Sequence, residues 1–101
     1  MLMLTRTDTS TLVVTTPAEI TEVNAGAFKR HLQAAVTKEH RHVELNMRKT
    51  HSIDSSGLGA LIFLHKLMNS RSGSVRILHP SRDVQQVLEL TRMAELFEIH
   101  C

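Results

Sequence analysis

The sequence predicts a single α/β domain, and three observations predict it. Stretches of β-branched or alternating apolar residues take turns with stretches of helical apolar spacing, the pattern of strands joined by crossover helices. The chain has 101 residues, enough for one ordinary core and too few for two, so the domain is expected to run over 1–101. Hydrophobic residues make up 42% and charged residues 22%, which suits a folded globular chain and not a disordered one.

The elements follow in order. Leu2 to Arg6 and Thr11 to Thr16 read as two short strands around a polar turn at Asp8-Thr9-Ser10. Pro17 ends the second, because proline cannot donate to a ladder. Asn24 is placed as a helix N-cap, and Ala25, Phe28, Leu32 and Val36 follow at helical spacing. Lys38-Glu39-His40-Arg41 reads as a solvated connection. Val43, Leu45 and Met47 alternate with Glu44 and Asn46, the period of a strand with one buried face. Residues 48–52 are polar, and Ile53 leads into a turn. Ser56 to about Asn69 reads as a helix apolar on nearly all sides, which needs cover from more than one direction. Arg71-Ser72-Gly73 forms a turn, and Val75 and Ile77 mark the next strand. Pro80-Ser81 opens a last helix with Val84, Val87 and Leu88 inward, and Leu96 to Ile99 closes with a strand.

Composition excludes several function classes. The net charge is only +2, and Lys and Arg are spread along the chain, so no nucleic-acid footprint is expected. With no Trp or Tyr, a base-stacking surface is weak as well. The one cysteine, Cys101, cannot form an internal disulfide. The N-terminal residues lack the long apolar region of a leader, and no stretch is apolar for the ~18–20 residues that span a bilayer. A cytoplasmic protein without membrane contact is the expectation. The seven histidines include the alternating pair His40 and His42, but no spacing completes a four-ligand metal site. His51 precedes the turn described next and reads as a polar loop residue. There is no nucleophile elbow and no phosphate loop, so no cofactor and no catalysis are expected.

The most unusual segment is Ile53-Asp54-Ser55-Ser56-Gly57-Leu58-Gly59. Asp54, Ser55 and Ser56 are all good N-cap residues. Gly57 and Gly59 each cost about 1 kcal/mol in a helix relative to Ala, which implies a close approach to the backbone. Two readings stay open from the residues alone. One is a well-capped helix whose small residues allow tight packing. The other is a site at a helix N-terminus, where free N–H groups and the dipole favour an anion such as a phosphate on Ser55.

That segment, Asp54-Ser55-Ser56-Gly57-Leu58-Gly59 after the strand Val43-Glu44-Leu45-Asn46-Met47, resembles the STAS family of anti-sigma factor antagonists and related regulatory modules. Gly73 to Leu78, Val84, Val87 to Leu90 and Leu96 to Ile99 extend the resemblance, which runs from about Thr11 to Ile99. It implies a STAS-like single domain, a mixed β-sheet of four to five strands packed with three or more α-helices. It also implies that Ser55 is the phosphate acceptor. The unphosphorylated form would bind an anti-sigma factor serine kinase, an ATP-binding protein of the histidine-kinase-like ATPase fold, and free the sigma factor. Phosphorylation would end that binding, and a metal-dependent serine phosphatase would restore it. Asp54, Ser56, Gly57 and Leu58 would belong to the partner surface, together with Glu19 and Thr21. Thr21 departs from the family, which often carries an acidic residue there. The sequence ends at Cys101 where many members continue with another helix, which leaves a weak homodimer open. The alternative is a constitutive binding subunit, similar to STAS modules attached to transport ATPases or held in other multi-protein complexes.

Overall fold

The computed structural model describes residues 3–101. Strands β1 (Leu4–Asp8) and β2 (Thr11–Thr15) form the opening hairpin, and a short strand β3 (Glu19–Ile20) precedes helix α1 (Ala25–Ala35). Strand β4 (His42–Asn46) and short strand β5 (Ser52–Ile53) lead into helix α2 (Ser55–Asn69). Strand β6 (Ser74–Leu78), helix α3 (Arg82–Leu90), a 3-10 turn at Met93–Glu95 and strand β7 (Glu98–His100) complete the chain. The main sheet has the order β1-β2-β4-β6-β7. Only β1 runs antiparallel, and the rest pair in parallel, so the sheet is mixed, as the resemblance implies.

Alternation fixes which face is buried. Leu12 and Val14, Val43 and Leu45, and Val75 and Ile77 point into the core from the three central strands. Phe28 and Leu32 of α1, Leu61, Leu64 and Met68 of α2, and Val84 and Leu88 of α3 join them in one cluster. The opposite face is mostly polar, with Val13 and Leu78 half-buried on it. There Arg76 bonds Glu44 at 2.6 Å and lies 3.5 Å from Glu98, which meets His100 at 2.9 Å. Parallel strands usually carry cover on both faces. Cross-strand ion pairs take that place on this outer face.

Five expectations shift. The first strand runs Leu4–Asp8; its expected start at Leu2 lies outside the described residues. Helix α2 begins one residue earlier than expected, because Asp54 is the residue that caps it. In the Lys38-Glu39-His40-Arg41 connection the other three residues are exposed as expected, but His40 is not. His40 is 4% exposed, and its Nδ1 accepts from the Thr37 amide at 3.0 Å while Nε2 faces the Thr7 hydroxyl at 3.0 Å. Thr50, in the polar run 48–52, is also buried: its hydroxyl meets that of Thr16 and donates to the Pro17 carbonyl. These bonds bring the chain after β2 beside the chain after β4, where β3 and β5 pair in parallel as a second, two-stranded sheet. The sequence reading has neither short strand, since two residues leave no period to read. At the other end Phe97 is buried and Leu96 is 41% exposed, so β7 starts later than Leu96. No helix among the described residues is long and apolar enough to cross a membrane.

Candidate functional site

The small β3–β5 sheet is what positions the segment around Ser55. Ile20 pairs with Ile53, the residue before Asp54. This sets the start of α2 beside the loop that joins β3 to α1. Asp54 then ties the two together. Its Oδ1 accepts from the Gly57 amide at 3.0 Å, the N-cap bond, and its Oδ2 accepts from the Glu22 amide at 2.9 Å. One carboxylate therefore satisfies an orphan donor of the helix and a donor of the neighbouring loop.

Those bonds have an electrostatic consequence. The Gly57 amide first, and the Glu22 amide second, hold the Asp54 carboxyl below its ordinary value. A carboxyl depressed by folding adds stability above its unfolded value of about 3.9, and that stability is lost as pH falls through the folded value. Asp54→Ala is therefore expected to lower the urea midpoint at neutral pH and to make the midpoint less sensitive to acid below about pH 4. Glu98 also sits low, through its hydrogen bond to His100 and then the Arg76 charge, so some acid sensitivity stays in the variant. Urea titrations of both proteins near neutrality and near pH 3 check this; parallel losses in the two would contradict it.

Ser55 is the first residue of α2 and is exposed. Its hydroxyl has no hydrogen-bond partner among the described residues. Ser56 beside it is exposed as well. The hydroxyl thus stands clear of the fold at the positive end of a 15-residue helix, where an added anion meets favourable dipole and open solvent.

The two glycines divide sharply. A Cβ on Gly57 would lie 2.0 Å from the Ile20 carbonyl oxygen and 2.7 Å from Ile53 Cγ1. The close approach expected from the sequence is real, and what approaches is β3 of the same chain. A Cβ on Gly59 would meet nothing within 4 Å. Gly59 is exposed on the same helix, so packing gives no reason for it.

Of the residues expected on a partner surface, Ser56 is open, Asp54 is half-buried, and Leu58 is half-buried against the core. Gly57 is buried beneath Ser55. Glu19 and Thr21 are half-buried and bonded to each other: the Thr21 hydroxyl donates to Glu19 Oε1 at 3.2 Å. The Thr21 amide donates to Asn24 Oδ1 at 2.9 Å, and Asn24 Nδ2 donates to the Glu19 carbonyl at 2.7 Å. Thr21 thus closes a tight loop before α1. His51 is exposed, and its amide donates to the Ala18 carbonyl at 2.9 Å.

Sequence reasoning missed Val23. It is 82% exposed and follows Glu22, whose amide Asp54 holds. A lone apolar residue in a polar loop carries no periodic signal. Only the fold shows that its loop is tied, through the Glu22 amide, to the Asp54 that precedes Ser55.

Comparison with known proteins identifies the fold. The family model for the STAS domain matches residues 3–100. An anti-sigma F factor antagonist of Paenibacillus polymyxa is 21% identical over 90 residues, covering 88% of this chain and 77% of its own. Among solved structures, TM1081 of Thermotoga maritima superposes with a TM-score of 0.88 at 23% identity, covering 97% of this chain and 85% of that one. The anti-sigma factor antagonist SpoIIAA in its unphosphorylated form gives 0.83 at 16% identity, covering 99% and 89%. SpoIIAA of Bacillus in its phosphorylated form gives 0.70 at 17%, covering 99% and 92%. At such identities these structures establish the fold.

Proposed function

The chain belongs to the STAS domain family, and from that premise we propose that it is an anti-sigma factor antagonist switched by phosphorylation of Ser55. The unphosphorylated protein binds an anti-sigma factor that is also a serine kinase, and this binding releases the sigma factor. Phosphate on Ser55 ends the binding, and a metal-dependent serine phosphatase reverses the step. The chain itself does no chemistry; it is the substrate and the competitor.

One observation carries the reading: the Ser55 hydroxyl is open and unbonded at the first turn of α2, on a turn that Asp54 holds fixed. The names of the relatives support it, since they are antagonists of anti-sigma factors and one of them exists in phosphorylated and unphosphorylated forms. The surface a kinase would meet starts from the exposed Ser55 and Ser56 and extends to the exposed loop at Glu22-Val23 that Asp54 ties to this turn. Glu19 and Thr21, bonded to each other and to Asn24, shape the loop that carries Val23. Sequence relatives are named as anti-sigma factor antagonists, which favours the switch over constitutive binding.

The test is phosphotransfer. Incubated with the anti-sigma kinase and ATP, the protein should gain one phosphate that mass spectrometry places on Ser55, and Ser55→Ala should gain none. Undiminished incorporation by Ser55→Ala would rule the assignment out.

A further inference from the structure

At the end of α2 opposite Ser55 lies a second feature of different chemistry. A cleft of about 410 Å3 is lined by Lys38, His40, Arg41 and Arg71. The helix between the two places has 15 residues, roughly 20 Å at 1.5 Å per residue, so they are separate.

The cleft is carried by a bonded frame. His40 holds the Thr37 amide from below, and the His40 amide donates to the Thr37 carbonyl at 3.1 Å. The Arg41 amide donates to the Ser10 carbonyl at 2.8 Å, and the Ser74 amide donates to the Arg41 carbonyl at 3.1 Å. Gly73 permits that contact, because a Cβ there would lie 2.0 Å from the Arg41 oxygen. Arg71 reaches across to the Thr37 carbonyl at 2.8 Å. The backbone under the cations is therefore fixed from four sides.

The charge is concentrated and unanswered. Three full cations line the cleft, against a net charge of +2 for the whole chain. None of the three forms an ion pair among the described residues. Glu39 lies between Lys38 and Arg41 in sequence but is exposed and does not line the cleft. The C-terminal ends of α1 and α2 point to this side, and each contributes roughly half a negative charge. That offsets about one cation of three.

We infer that this cleft binds a phosphate group carrying two or more negative charges. No Phe, Tyr or Trp lines it, so recognition is by charge and by the Arg41 and Arg71 forks. Such a ligand would address the protein at a place independent of Ser55.

Inorganic pyrophosphate is the probe for a soluble source, followed by amide chemical shifts at low salt. Saturable shifts are expected at residues 37–42 and 71–74, and none at residues 55–59. The double variant Lys38→Gln/Arg41→Gln should weaken binding by about tenfold or more. Its urea midpoint should match the parent, since both side chains are exposed. Sedimentation with phosphatidic acid vesicles reads the other source of the same chemistry. Pyrophosphate saturation without sedimentation assigns a soluble ligand. Sedimentation that the double variant abolishes assigns a lipid headgroup. Neither response, or shifts spread over surface lysines and arginines and unchanged in the double variant, would overturn the inference.

Discussion

Gly57→Val is expected to destabilise the protein by about 3 kcal/mol or more, while Gly59→Ala, two residues along the same helix, is expected to stabilise it by roughly 0.5–1 kcal/mol. The opposite signs follow from what each Cβ meets. At Gly57 the new carbon falls 2.0 Å from the Ile20 carbonyl oxygen, which is backbone held in the β3–β5 pairing and cannot step aside. Relief requires separating β3 from α2, which also strains the Asp54 bond to Glu22. At Gly59 the new methyl meets nothing, so only the helix-propensity gain remains. Urea midpoints of the two variants decide it. A Gly57→Val protein as stable as the parent would mean that β3 does not pack on α2 as described.

Gly59→Ala has a second reading. If the open backbone at Gly59 is part of the kinase-facing surface, the more stable variant should bind the anti-sigma factor more weakly. Stability and affinity then move in opposite directions, which separates a surface reserved for a partner from one left bare by chance.

The second large effect concerns Ser55. Phosphorylation of Ser55, or Ser55→Asp, is expected to weaken binding to the anti-sigma factor by about 100-fold or more, with little change in the urea midpoint. The fold tolerates the charge because Ser55 is exposed at the first turn of α2, where a negative group meets the positive end of the helix dipole. A partner seated on the same turn does not tolerate it. A phosphoserine brings about −1.5 to −2 charges, and an interface must strip their water or leave a gap. On the proposed reading the switch would act by obstruction on a fixed surface, with no second conformation of the domain.

How much of this the sequence discloses depends on the length of the signal. Helices and long strands announce themselves, since Leu12 and Val14, Val43 and Leu45, and Phe28 and Leu32 repeat at clear periods. The Asp54-Ser55-Ser56-Gly57 turn is legible too, because cap residues followed by glycine have few other uses. The partner of Gly57 is not legible. It is the carbonyl of Ile20, in a strand of two residues that only tertiary pairing creates. For the same reason the sequence marks Thr21 as a departure from its family without showing what the residue does. Its hydroxyl turns to Glu19 and its amide to Asn24, which shapes the loop that sets Val23 outward. The buried His40 hides among charged neighbours, so its role in framing the basic cleft appears only in three dimensions.

The measurement that bears most directly on the switch is a calorimetric titration of the anti-sigma factor with this protein, made before and after stoichiometric phosphorylation of Ser55. The unphosphorylated protein should bind, and the phosphorylated protein should show an affinity lower by about 100-fold or more. Equal affinity of the two forms would contradict the account at its centre, whatever else the fold explains.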